Sequence, residues 1–91
     1  MIIDLGNINS PQELHLKLKT AFQFGDDYGM NWDSFLTFLK REEENLPYEV
    51  ILRNWKALEH SFPTDAELFK ERVADFNRDA LEVEIGIEQV F

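Results

Sequence analysis

The sequence predicts an α/β domain in which helices pack on a small three-stranded parallel sheet. Three short segments have the apolar pattern of strands, at residues 1–5, 48–52 and 81–88. The long intervals between them have helical patterns, and parallel neighbouring strands need connections of this length. Because 91 residues fit one domain, we expect a single compact domain over residues 1–91.

The first helix is predicted to begin directly after Ser10. Ser10 and Glu13 form a capping box, and Pro11 suits the first helical position, where its missing N–H costs nothing. The helix should end near Gly25, and Gly25 and Gly29 are the candidates for a positive backbone φ in the loop that follows. The predicted core face of this helix consists of Leu14, Leu18, Ala21 and Phe22.

A second helix is predicted to begin after Asn31, whose side chain suits the cap position. Asp33, Thr37 and Lys40 should lie on its outer side. The glutamates at residues 42–44 oppose the helix dipole at the C-terminal end, so the helix should end there. The predicted buried stripe, at positions i, i+3, i+4 and i+7, consists of Trp32, Phe35, Leu36 and Leu39.

The second half of the chain is predicted to hold two strands and two helices. Residues 50–52 form a continuous apolar run, which is typical of a central strand covered on both faces. A short helix after it should carry Trp55 and Leu58, and a capping box at residues 64–67 should start the last helix. Residues 81–88 alternate apolar and polar side chains, as a half-buried strand does. The predicted inner face of the last helix consists of Phe69, Val73, Phe76 and Ala80.

Charge and composition exclude several classes of function. The chain has 18 acidic against 9 basic residues, a net charge of -9 and a pI of about 4.5. A nucleic-acid binder needs positive charge to displace counterions, so we expect no direct nucleic-acid binding and a basic protein as partner. There is no cysteine, which suits a reducing compartment, and we expect a cytoplasmic protein. No stretch approaches the roughly 20 apolar residues of a membrane span, so we expect no membrane contact.

No pattern in the sequence indicates a catalytic, cofactor or metal site. His15 and His60 lie in separate predicted helices, and neither is paired with a nucleophile or a metal ligand. Residues 26–33 do not keep the ligand spacing of a calcium loop. The scattered glycines form no phosphate-binding loop: Gly6, Gly25, Gly29 and Gly86. We therefore predict a protein that is not an enzyme and that uses no cofactor and no metal.

One short motif lies at the start of the second predicted helix. Residues 28–33 read Tyr-Gly-Met-Asn-Trp-Asp, and they match an aromatic-Gly-x-Asn-hydrophobic-Asp motif position for position. Two flanking matches extend the likeness: residues 13–15 with 18–19 before it, and Tyr48 with residues 50–52 and a nearby tryptophan after it. In these residues the chain resembles the barstar family of ribonuclease inhibitors. The resemblance implies a barstar-like fold and an inhibitor that lays an acidic helix and its preceding loop across the basic cleft of a small secreted ribonuclease.

The resemblance also implies which residues bind the partner. Their carboxylates would take the places of substrate phosphates against the cations of the enzyme. Asp27 stands where a second aromatic residue occurs in the family, and Leu36 replaces a tryptophan. Thr37 is neutral at a position where the family carries an important carboxylate. The implied partner-binding residues are Asp27, Tyr28, Gly29, Asn31, Asp33 and Thr37.

Three functions remain open from the sequence. The first is inhibition of a guanyl-type extracellular ribonuclease, which the motif favours. The second is a barstar-fold immunity or binding module for a different basic toxin or protein partner, which the neutral Thr37 favours. The third is an enzyme with an unrecognised carboxylate site, which would need a cluster of raised pKa values in a cleft. For either binding function we expect the free protein to be a monomer.

Overall fold

Three parallel strands form one sheet with β2 between β1 and β3, in a computed structural model that describes residues 1–88. This arrangement confirms the predicted α/β fold and the central position of the second strand. In chain order the elements are β1 (Ile2–Asp4), α1 (Pro11–Phe22), α2 (Trp32–Arg41), a short 3₁₀ helix (Glu43–Asn45), β2 (Glu49–Arg53), α3 (Trp55–Ser61), α4 (Pro63–Asp79) and β3 (Glu84–Ile87).

The two faces of the sheet are unequally covered. Val50 and Leu52 of β2 are buried, whereas Ile51 between them is partly exposed. Ile51 is in register with Ile2 and Gly86, and Ile2 is 52% exposed. A Cβ added at Gly86 would meet nothing within 4 Å. The prediction that β2 is covered on both faces was therefore wrong, because only its alternate residues are buried.

The core lies between the covered face of the sheet and the helices. Aromatic rings join α2 to α4, since Phe69 stacks on Trp32 with centroids 4.9 Å apart and meets Phe35 edge-on at 5.3 Å. Such pairs add to the free energy of burying the rings themselves. The largest fully buried side chains come from all four helices, from β2 and from the residue after β1: Phe35, Phe69, Phe76, Leu5, Leu14, Leu18, Leu39, Leu52, Leu58 and Val50.

Side-chain caps start the first two helices as predicted. The Ser10 hydroxyl accepts a hydrogen bond from the backbone N–H of Glu13 at 3.1 Å. The Asn31 side chain accepts one from the backbone N–H of Ser34 at 2.8 Å. Each bond satisfies one of the N–H groups that lack a partner in the first turn of a helix. Both helix starts are thus determined by local sequence.

The start of α4 differs from the prediction. The helix begins at Pro63, with Phe62 as its cap residue and no side-chain hydrogen bond to the first turn. Thr64 therefore lies inside the helix, and the predicted capping box at residues 64–67 was wrong. The reason is that proline, with its fixed φ and no N–H to satisfy, is suited to the first helical position and starts the helix earlier.

No glycine among residues 1–88 has a positive φ, so the prediction of a positive φ at Gly25 and Gly29 was wrong. α1 ends at Phe22, and Gln23 adopts the left-handed conformation with φ 57°. The following residue, Phe24, is buried, so the chain has to turn before it. Among residues 1–88, the positions with positive φ are Asn7, Gln23, Met30 and Asn54.

Two further elements differ in detail from the sequence prediction. In α2, Phe38 is buried in the place expected of Leu36, which is only partly covered. The Phe38 ring lies 5.4 Å from the ring of Tyr28 in the preceding loop. β3 begins at Glu84 and not at Leu81, which is 92% exposed. The backbone N–H of Leu81 donates to a carboxylate of the 3₁₀ helix, so it belongs to the connection before the strand.

Candidate protein-binding surface

The motif loop is held against the first turn of α2 by short hydrogen bonds. The backbone N–H of Gly29 donates to the Ser34 hydroxyl at 2.8 Å, and the Asn31 amide donates to the Gly29 carbonyl at 3.1 Å. A Cβ at Gly29 would lie 3.1 Å from the Asn31 amide nitrogen and 3.2 Å from Ser34. A Cβ at this position would push the Asn31 and Ser34 side chains away by a few tenths of an ångström, so glycine favours close approach of the loop to the helix and is not required for a positive φ.

Met30 carries the unusual backbone conformation of this loop. Its φ is 56°, and the next residue, Asn31, returns to extended geometry with φ -144°. A left-handed conformation in a residue with a Cβ costs about 1–2 kcal/mol, so the surrounding contacts must offset it. The Met30 side chain packs against the core, which supplies one such contact.

The inner side of the motif is part of the core. Tyr28 and His15 are 5% and 4% exposed, and the Tyr28 hydroxyl lies 2.7 Å from His15 Nδ1. The Trp32 ring lies 4.3 Å from the His15 ring, and its Nε1 donates to Asp65 Oδ1 at 3.0 Å. The structure thus places the Tyr28 side chain among buried rings, where its contact with His15 holds the loop against α1. Contact of Tyr28 with a partner stays a prediction.

Burial controls protonation in this inner cluster. It lowers the pKa of His15 below 6.5, while the Asp65 carboxylate acts in the opposite direction. Burial also raises the pKa of the Tyr28 hydroxyl, so the phenol stays protonated. Sequence reasoning did not select His15, although a signal was present: Leu18 and Phe22 follow His15 at spacings of three and seven, which places all three on one helix face.

The outer side of the motif is open to solvent. Asp27, Asn31, Asp33 and Thr37 are exposed, so four of the six predicted binding residues present their side chains on this surface. Gly29 is exposed as well. The Thr37 hydroxyl donates to the backbone carbonyl of Asp33 at 3.1 Å, which turns its donor inward and leaves its oxygen able to accept.

The motif carboxylate of Asp33 and the preceding carboxylate of Asp27 both lie beside arginines of the same chain. Asp33 Oδ1 is 3.0 Å from Arg72 Nη2 on α4, and Asp27 Oδ2 is 3.4 Å from Arg41 Nη1 at the end of α2. Arg41 also lies over the Phe38 ring, 4.0 Å from its centroid. Sequence reasoning missed both arginines, because no sequence spacing indicates which α4 residue packs beside α2 or how the loop folds back on the end of α2.

The ion pairs also define how α2 and α4 lie together. Lys40 of α2 is 3.8 Å from Asp79 of α4, and in each helix this residue lies about two turns beyond the pair of Asp33 and Arg72. The two pairs follow the same order in both helices, so α2 and α4 run in the same direction.

The candidate surface, which we call the α2 surface, consists of the outer residues of the loop and α2 with Arg72 beside them.

Other features of the molecule give the enzyme hypothesis no support. Hydrogen bonds from the Gly6 N–H and from Asn54 lower the pKa of Asp4 below 3.8, the opposite direction from that expected of a general acid. Within residues 1–88, no group of three or more His, Cys, Asp or Glu residues is placed to hold a metal ion. In the same part of the chain, no helix is long and apolar enough to span a membrane.

Comparison with known proteins identifies the family of the chain. Residues 1–90 match the family model described as Barstar (barnase inhibitor). A comparison with curated proteins finds no match. The family match covers essentially the whole chain, including the motif loop and α2.

Proposed function

Because this chain belongs to the barstar family, we propose that it is an intracellular inhibitor of a small secreted ribonuclease. It would act by covering the basic RNA-binding cleft of the enzyme with the α2 surface, and it would catalyse no reaction itself. The observation that carries this proposal is the family match over residues 1–90. The exposed Asp27 and Asp33 support it, because carboxylates can take the places of phosphates in such a cleft.

The proposed mechanism follows from the chemistry of an RNA-binding cleft. Such a cleft binds phosphates through cationic side chains, and carboxylates can replace phosphates in charge-assisted hydrogen bonds. Asp33 projects its carboxylate from the first turn of α2 with its side chain 90% exposed, and Asp27 lies in the loop before it. The net charge of -9 would speed the approach to a basic enzyme.

The proposal includes a location and an oligomeric state. An inhibitor that protects the cell producing the ribonuclease has to act before the enzyme leaves, so we place the protein in the cytoplasm. The absence of cysteine is compatible with that reducing compartment. We expect the free protein to be a monomer that forms a one-to-one complex without a cofactor.

Two observations favour a second function, in which the domain is an immunity or binding module for a different basic toxin or protein. Thr37 adds no charge to the α2 surface, one helical turn after Asp33. Arg72 neutralises part of the charge of Asp33, and Arg41 part of that of Asp27. The α2 surface is therefore less acidic than the net charge of the chain suggests, and it would suit a partner with fewer cations.

Inhibition assays on a panel of small extracellular ribonucleases, barnase among them, test the first proposal. We expect RNA cleavage by at least one of them to stop at one equivalent of the protein. The association rate, measured by surface plasmon resonance, should fall as salt is raised, because salt screens attraction between exposed charges. A rate independent of salt would argue against an electrostatic partner surface. Full activity of every ribonuclease, with capture of another basic nuclease from the native cell, would favour the second function.

A further inference from the structure

Arg72 places a positive charge inside the surface that is proposed to bind a basic enzyme. It projects from α4, and its Nη2 donates to Asp33 Oδ1 at 3.0 Å. The Arg72 side chain is 24% exposed, whereas that of Asp33 is 90% exposed. The carboxylate that a partner would reach first is therefore already engaged on one oxygen by a largely covered guanidinium.

Arg41 and Arg72, the two arginines of the α2 surface, differ in how freely they can move away from their carboxylates. The Arg41 side chain is 49% exposed and is shared between Asp27 at 3.4 Å and Glu42 at 3.7 Å. It can move aside towards Glu42 when a cation approaches Asp27. Arg72 projects from α4 towards Asp33 of α2, and although Glu71 lies 3.9 Å from it, its side chain is only 24% exposed and has less room to move than that of Arg41. Its charge therefore stays beside Asp33 when a partner arrives.

We propose that Arg72 is a specificity-determining residue that disfavours ribonuclease clefts that are positively charged throughout. This inference rests on the proposed function and deepens it. A cation of the partner can bind the free oxygen of Asp33, but it then lies close to the guanidinium of Arg72. Repulsion between like charges at such distances weakens the complex, and Thr37 offers no carboxylate to offset it.

The consequence for the partner is a restriction on its charge pattern. A cleft that carries one cation opposite Asp33 and a hydrogen-bond acceptor opposite Arg72 satisfies both groups. A cleft with cations at both places leaves Arg72 facing a like charge, and such a contact is a common means of rejecting a wrong partner. The protein should therefore discriminate among ribonucleases that all bind RNA.

The inference is tested by measuring how tightly variants of the protein inhibit barnase, because a ribonuclease has to bind RNA phosphates in its cleft. The variants are Arg72→Gln, Arg72→Lys and, as matched control, Lys70→Gln. Lys70 lies on α4 and is exposed, but it lines a hollow together with Glu59 of α3, away from the α2 surface. Thermal unfolding by circular dichroism confirms that each variant is folded before the inhibition constants are compared.

We expect Arg72→Gln to inhibit barnase about tenfold more tightly than the wild type, with Lys70→Gln within about twofold of it. Arg72→Lys keeps the charge and should stay close to the wild type. The inference is overturned if Arg72→Gln and Lys70→Gln have the same effect, if Arg72→Gln weakens inhibition, or if Arg72→Lys tightens it equally. The proposed ribonuclease inhibition would survive each of these results.

A different result would count against the proposed function as well. In this result neither the wild type nor any variant inhibits barnase, and the double variant Arg72→Gln with Thr37→Asp is also inactive. Removal of the like charge then fails to produce inhibition. That outcome rejects Arg72 as the cause of discrimination and removes this enzyme from the possible targets. The ribonuclease panel then decides whether inhibition itself occurs.

Discussion

The inner and outer sides of the loop and α2 have different tasks although their residues alternate along the chain. On the inner side Tyr28, Trp32 and Phe35 are buried, and their polar atoms are satisfied by His15 and Asp65. The outer residues are exposed: Asp27 and Asp33 form ion pairs, Thr37 donates to a backbone carbonyl, and Asn31 caps α2. Changes on the inner side should therefore alter stability, and changes on the outer side should alter binding.

The largest expected effect is on the inner side, at Phe35. Its side chain is fully buried and meets the rings of Phe69 and Trp32 edge-on. Phe35→Ala should lower the free energy of unfolding by about 3–5 kcal/mol, because it removes buried apolar surface and leaves a cavity. Urea denaturation monitored by circular dichroism measures it. Thr37→Ala on the outer side of the same helix should change this free energy by about 0.5 kcal/mol or less. Equal effects of the two would contradict the division into sides.

The next effect is on binding, at Asp33. Asp33→Ala should weaken the complex with an inhibited ribonuclease by roughly 2–5 kcal/mol, because a cation of the enzyme loses its partner. The free energy of unfolding should change by only about 0.3–1 kcal/mol, the usual effect of a first-turn carboxylate on its helix. Titration calorimetry measures the affinity of Asp33→Ala and of the control Glu67→Ala. The control also removes one negative charge, but from α4, in a hollow near α3. If both variants bind equally well, Asp33 serves only the helix.

A smaller effect on stability is expected at Tyr28. Tyr28→Phe keeps the buried ring but removes the hydroxyl that lies 2.7 Å from His15 Nδ1. Leaving a buried polar group without its partner costs about 1–3 kcal/mol, so the free energy of unfolding should fall by that amount. Tyr48→Phe is the matched control, since Tyr48 is 78% exposed. A Tyr28→Phe variant as stable as the control would show that the hydrogen bond contributes little.

The smallest effect is a pH dependence that comes from His15. Its pKa is about 6.5 in the unfolded chain and is lowered in the folded protein by burial, against the opposing effect of Asp65. The unfolded chain therefore binds more protons below pH 6.5, so stability is complete above that pH and falls as pH decreases. The slope from one group is at most about 1.4 kcal/mol per pH unit.

Denaturation at a series of pH values from 8 to 5 tests this dependence. His15→Gln should flatten the loss of stability, whereas His60→Gln, at an exposed site in α3, should retain it. The lowered pKa of Asp4 acts in a separate range, because its contribution is lost only as pH falls below 3.8. A wild-type stability that is constant between pH 8 and 5 would contradict the burial of a neutral His15.

Sequence reasoning was most successful where a structure is determined by neighbours along the chain. The Ser10 and Asn31 caps and the apolar spacing of the helices depend on residues within two turns, and they predicted the elements and the sheet. The start of α4 at Pro63 failed because two local signals competed. The left-handed conformation of Gln23 was missed because the helix was expected to end near Gly25, whereas α1 ends at Phe22 and the N–H groups of Gln23 and Phe24 bond to carbonyls of its last turn.

The candidate surface shows the same limit. The motif indicated the segment, but it could not separate Tyr28, which is buried, from Asp33, which is exposed. That separation depends on His15 of α1, which accommodates the Tyr28 hydroxyl. The pairing of Asp33 with Arg72 likewise depends on how α2 packs on α4. No sequence-spacing rule predicts a contact between residues that are 39 positions apart.

The left-handed conformation of Met30 affects the entropy of association. Its cost is met when the protein folds, by the hydrogen bonds between Gly29, Asn31 and Ser34. Ordering a flexible residue costs about 1–2 kcal/mol in lost backbone freedom, and a loop that is already ordered does not incur this cost again on binding. A partner would therefore meet a rigid template, and the complex would form by docking of two shapes with little change of the backbone.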